Sequence, residues 1–166
     1  MKRVAALGVM LALVLVQVTW APHASIGGAF PNLVLVAVVA ITWMRGVRAG
    51  LAWACIGGVL LDLTASGPVG PHALALLTVA FVTSLWARNF ERAHALQAAL
   101  TAAAGSAAYS LSLVVTDGFL GLPGTDAVVV IRLTVATAIY NALLAPFALE
   151  AFTRWRAIIR EAPETA

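Results

Sequence analysis

Charged side chains are scarce in this 166-residue sequence, at 10% of the chain, where soluble domains carry about 25%. With 62% hydrophobic residues and a mean hydropathy of +0.98, a chain of this length cannot hide its apolar surface from water. That excludes a soluble globular domain and points to lipid as the natural solvent. Cysteine occurs once, as Cys55, so an internal disulfide is excluded, and Cys55 reads as a small hydrophobe inside an apolar run. Histidine occurs at positions 23, 72 and 94 only, with no His-Glu-x-x-His pair to hold a metal. The pI is 9.8, but the basic residues are scattered, with no Lys/Arg stripe interleaved with aromatics, so a nucleic-acid surface is excluded. Ser66, His72 and Asp62 are close in sequence, yet a catalytic triad needs a geometry that a Pro/Gly turn would supply only by chance. Ser106, behind Gly105, has no histidine at matching depth. The expectation is a non-enzymatic chain with no cofactor and no metal.

What is present is a series of apolar runs. Six are read as spans: Val4–Trp20, Asn32–Met44, Ala49–Leu63, Ala73–Ala87, Ala98–Val115 and Val128–Leu149. Backbone groups in hydrocarbon must be satisfied within the segment, and the runs are apolar all round without the alternation of a membrane barrel, so each is a helix. The first run, 17 residues behind Met1-Lys2-Arg3, exceeds the 7–15 of a secretory signal, and no small-x-small site follows before Pro22, so it is expected to be retained. With the N-terminus inside, Lys2, Arg3, Arg45, Arg48, Arg88, Arg92, Arg154, Arg156 and Arg160 all fall on the inner side and only Arg132 toward the outside. The expected architecture is therefore an all-α, six-helix membrane domain over residues 1–166 with both termini cytoplasmic.

The connections Ala21–Pro31 and Thr116–Ala127 are too short to fold alone, and Glu161–Ala166 is a polar tail. No internal repeat suggests an inverted-repeat transporter. Small residues recur every four positions: Gly50, Ala54 and Gly58 in the third span, and Ala98, Ala102, Ser106 and Ser110 in the fifth. Such stripes let helices approach closely, either inside one bundle or across a homo-oligomer face.

The stretch "GGVLLDLTASGPVGPHALALLTV", Gly57 to Val79, breaks the apolar pattern. The spans on either side are about 15 residues long, or ~22 Å against a hydrocarbon core of ~30 Å, so Thr64–His72 is expected to lie within the outer leaflet. Non-helical backbone at that depth needs cover from protein or a water-filled cavity. Gly67 and Gly70 permit sharp turning, and Pro68 and Pro71 stop helix continuation. Asp62 stands at the junction, where its carboxylate can accept hydrogen bonds from turn N–H groups or face Arg132 across the bundle. Gln17, Asp62, Ser66, His72 and Arg132 all map near the outer leaflet. They either line one outer pocket or make separate local hydrogen bonds. Asn141 lies mid-membrane in the sixth span, where Pro146 can kink the helix.

Leu60-Leu61-Asp62, Ser66-Gly67, Pro68-Val69-Gly70 and Ala73-Leu74 resemble the signature region of the MreD family of bacterial rod-shape-determining membrane proteins. Pro31-Asn32-Leu33 and Arg45-Gly46-Val47-Arg48 resemble the segment bounding that family's second span, and the length and six-span layout are similar too. Two positions depart: Asn32 stands where a carboxylate is often found, and Pro71 where a hydrophobic residue is usual. The resemblance implies a cytoplasmic (inner) membrane component of the cell-elongation machinery. Such a protein pairs with the bitopic protein MreC and, through it, acts on the RodA glycosyltransferase and its penicillin-binding transpeptidase in peptidoglycan synthesis. It also implies a fold similar to the S-components of energy-coupling-factor vitamin transporters, and hence an outward small-molecule or peptide pocket. The rival reading is such an S-component itself, whose docking stripe on the first span is represented here only by Gly8 and Ala12.

Overall fold

The computed structural model describes residues 2–25, 27–65, 67–89 and 95–161, with side chains described over 6–154 of these. Ser66, His94 and the end of the polar tail lie outside them. Six α-helices are present among the described residues: α1 (Lys2–Thr19), α2 (Leu33–Arg45), α3 (Val47–Thr64), α4 (Pro71–Ala87), α5 (Ala95–Phe119) and α6 (Ala127–Glu161), with a 3-10 turn at Ala21–Ala24. By length and composition, Val47–Thr64, Ala95–Phe119 and Ala127–Arg154 can each cross a membrane, and Ala6–Thr19, Leu33–Arg45 and Pro71–Ala87 are shorter apolar helices.

The third and fourth helices are longer than the sequence predicts, 18 and 17 residues, which is ~26–27 Å each at 1.5 Å per residue. The predicted Thr64–His72 turn shrinks accordingly to residues 65–70, and both Thr64 and His72 are helical. The cause lies in how the helix ends are satisfied. Pro71 occupies the first turn of α4, where its missing N–H costs nothing. The free N–H groups beside it find an acceptor on α3, as described below.

The short helix α2 forms the centre. Val34 through Thr42 are all buried, and α2 packs on α1, α3, α4, α5 and α6. A helix apolar on every side is what a central position requires. Asn32 caps its start, accepting from the Leu35 N–H at 2.9 Å. Gly46, at φ 81°, ends it and starts α3 without an intervening loop, a backbone conformation that side chains resist.

Glycines set how closely α3 approaches its neighbours. A Cβ on Gly50 would overlap the Thr42 side chain of α2, and one on Gly58 would overlap the Ala73 backbone of α4. Gly57 faces Val34 and Met10, and Ala54 is fully buried. On α5 the stripe Ala98, Ala102 and Ser106 is buried in the bundle. α6 continues unbroken through Pro146, and Phe152 stacks edge-on against Trp53 of α3, ring centroids 5.8 Å apart. Much of the outer surface is apolar. On α6 alone, Val128, Ile131, Val135, Ile139, Leu143 and Phe147 are exposed, a stripe of ~29 Å that matches a bilayer core.

Candidate functional site

The site is built at the end of the bundle where α3 stops and α4 begins. Asp62, in the last turn of α3, is 1% exposed. One carboxylate oxygen accepts from the Gly70 N–H at 2.9 Å and the Ala73 N–H at 3.2 Å. The other accepts from the His72 N–H at 3.0 Å and from His72 Nδ1 at 2.8 Å. An aspartate on one helix thus caps the N-terminus of the next, satisfying orphan N–H groups and meeting the positive end of the α4 dipole. Gly70, at φ 128°, is the position where the backbone must swing to aim its N–H at the carboxylate, and glycine tolerates that φ. Since a carboxylate only accepts, His72 Nδ1 is the donor of that bond.

The partner of Asp62 is therefore the turn together with His72, and not Arg132. Arg132 is exposed on α6, makes no ion pair among the described residues, and does not line the cavity described next. It sits on the outward side of α6, so its side chain cannot reach across the bundle. Gly67 and Pro68 are exposed in the turn and lie off that cavity as well. Ser66 falls outside the described residues.

A second polar cluster lies deeper and joins elements distant in sequence. Asn141 Oδ1 accepts from the Asn32 N–H at 2.8 Å, and Asn141 Nδ2 donates to Ser106 Oγ at 2.8 Å. Gln17 clamps the entry to α2, accepting from the Leu33 N–H at 2.6 Å and donating to the Pro31 carbonyl at 3.0 Å. Tyr109 of α5 stands beside this cluster, its ring 6.2 Å from that of His72.

Both clusters border one cavity of about 540 Å³, within the range of small-molecule sites. Gln17, Asn32, His72 and Tyr109 line it, with α6 supplying Thr134 and Thr137. Asp62 stands behind His72 instead of facing the space. Many helix hydroxyls bond back to a carbonyl about one turn earlier, as Thr42, Thr101 and Thr116 do and as Thr64 does on the cavity wall, although buried Thr83 does not. Ser110, Thr134 and Thr137, all on the cavity wall, make no such bond among the described residues. Among the described residues the lining contains no Asp, Glu, Lys or Arg. The cavity can therefore take a neutral group that offers hydrogen bonds and apolar surface. Among the described residues no group of three or more His, Cys, Asp or Glu is placed to hold a metal.

Sequence reasoning placed Gln17, Asp62 and His72 at this end but missed Tyr109 and the joint role of Asn32 and Asn141. An amide in the middle of an apolar run was the available signal for Asn141. Tyr109, one of two tyrosines, carried none that distinguished it from packing.

A family model described as rod shape-determining protein MreD matches residues 3–152. No curated protein and no solved structure matches the chain.

Proposed function

The chain belongs to the MreD family, a family of rod shape determination rather than of enzymes, and from that premise we propose how it serves cell shape. It crosses the cytoplasmic membrane of a bacterium six times with both ends inside, and binds an MreC-like bitopic protein. Through that partner it supports RodA and a penicillin-binding transpeptidase in peptidoglycan synthesis. The observation that carries this reading is the division of the surface. Helix sides are apolar, Arg45, Arg48, Arg88 and Arg154 are exposed at one end, and the anchored turn and cavity lie at the other. The chain meets its partner through lipid-facing helix surface and the outer loops. Asp62, His72 and Gln17 hold the outer end rigid, and the cavity receives an uncharged group there.

Two experiments test this. Cysteines placed in Ala21–Phe30, Gly67–Gly70 or Thr116–Gly124 should label from outside only; outside labelling at Arg45–Arg48 overturns the six-span topology. Co-expressed with an MreC-like protein, the chain should carry it through purification in mild detergent, and photocrosslinkers along each helix should map the contact. A chain that purifies alone refutes the partnership. The cavity also favours a second reading, a vitamin-binding S-component. Saturable vitamin binding, together with co-purification of an ATPase module, would decide for it.

A further inference from the structure

At the opposite end from the cavity, α1 and α3 touch where Met10 meets Gly57 and leave a hollow of about 400 Å³ between them nearer the α2–α3 corner. Buried Met10 and Trp53 form its floor, Ala6, Ala49 and Ala52 keep it open by their small size, and exposed Leu7 and Ile56 form its rims. Its one charged lining residue is Arg45, exposed, with no acidic partner among the described residues. From Ala49 to Ile56 the groove runs ~10 Å along α3. A spanning helix needs ~30 Å of contact, so two turns of groove are too short for one. A bare anion would gain a single cation and leave the apolar walls empty. An acyl chain attached to an anionic headgroup satisfies both parts.

We propose that the α1–α3 groove is a binding site for an anionic phospholipid of the inner leaflet, its phosphate on Arg45 and the upper part of one acyl chain against Trp53 and the three alanines. Arg45 ends α2 and Arg48 stands in the first turn of α3, so the headgroup meets positive charge at the height where arginine side chains reach the interface. Basic pockets between spanning helices on the cytoplasmic side recognise anionic headgroups by the same physics. The lipid would fill the wedge between α1 and α3 and brace α1 against the bundle. The inference rests on the membrane topology proposed above.

The test is native mass spectrometry of the full-length protein from mild detergent, titrated with equal amounts of phosphatidylglycerol and phosphatidylcholine. Wild type should retain phosphatidylglycerol about fivefold over phosphatidylcholine, the weight of one basic side chain against an anionic headgroup. Arg45→Gln should bring the two lipids to parity. Ala52→Leu, at an exposed position that fills the groove, should lower retention of phosphatidylglycerol severalfold. Equal retention of both lipids by wild type, or an undiminished preference in Arg45→Gln, overturns the site. Carbonate extraction separates the two failures. A chain released from membranes refutes the topology, whereas one that stays while Arg45→Gln keeps its preference refutes only the lipid site.

Discussion

Replacing Asp62 with alanine should be among the most damaging single changes in the chain. The substitution removes the acceptor of the Gly70, His72 and Ala73 N–H groups and of His72 Nδ1. Hydrogen bonds to a charged group contribute about 1.5–3 kcal/mol each, so simple addition gives roughly 6–12 kcal/mol. That sum overshoots, for two reasons. Deleting the carboxylate also removes the cost of burying it, and the 65–70 turn is open enough for water to reach part of what is orphaned. A net loss of about 3–5 kcal/mol follows, the range seen when one member of a buried charged pair is removed. For a chain of this size, that is a fall in melting temperature of roughly 6–20 °C. Asp62→Asn keeps one accepting oxygen but turns an NH₂ toward two N–H donors, so it should fall between alanine and wild type. The assay is thermal unfolding of the purified protein in detergent, followed by loss of the monodisperse size-exclusion peak. A variant Asp62→Ala that melts within about 2 °C of wild type, a loss of no more than about 1 kcal/mol, would refute the trans-helix cap.

Arg132→Gln should shift stability by less than about 0.5 kcal/mol and combine additively with Asp62→Asn. His72→Ala, in contrast, should couple to Asp62→Asn by about 0.5 kcal/mol or more in a double-mutant cycle, read by the same thermal assay. Glycine-to-alanine changes should rank by what the new Cβ meets. Gly58→Ala, against the Ala73 backbone with its nitrogen at 2.7 Å, should cost most, and Gly50→Ala, against the Thr42 side chain, somewhat less. Gly8→Ala, with nothing within 4 Å, should be neutral or stabilise by up to ~1 kcal/mol through helix propensity. Asn141→Leu should cost about 1–3 kcal/mol by stranding the buried Asn32 N–H, and an unchanged melting temperature would remove the network's structural importance.

The sequence alone determined that the chain is helical, where five of its helices lie to within a few residues (α6 runs twelve residues past the expected end at Leu149, to Glu161), and that the Asp62 turn is a special place. Those are local matters. Apolar runs in lipid must satisfy their own backbone, and Gly, Pro and Asn mark the ends within a few positions, as Gly46, Asn32 and Pro71 do. Only the tertiary structure decided what Asp62 holds. The sequence offered turn N–H groups and Arg132 as acceptable partners, and the choice depended on α4 arriving with its N-terminus against the end of α3, which Gly58 permits. The network of Asn32, Ser106 and Asn141 was likewise invisible, because its members are up to 109 positions apart. The deepest case is α2 against α6. Both read as plain apolar helices, yet α2 is buried on all sides and α6 shows a full stripe to the exterior. In water that difference would be written as polar residues on the exposed face; in lipid, core and surroundings are equally apolar, so composition carries no mark of which helix sits at the centre.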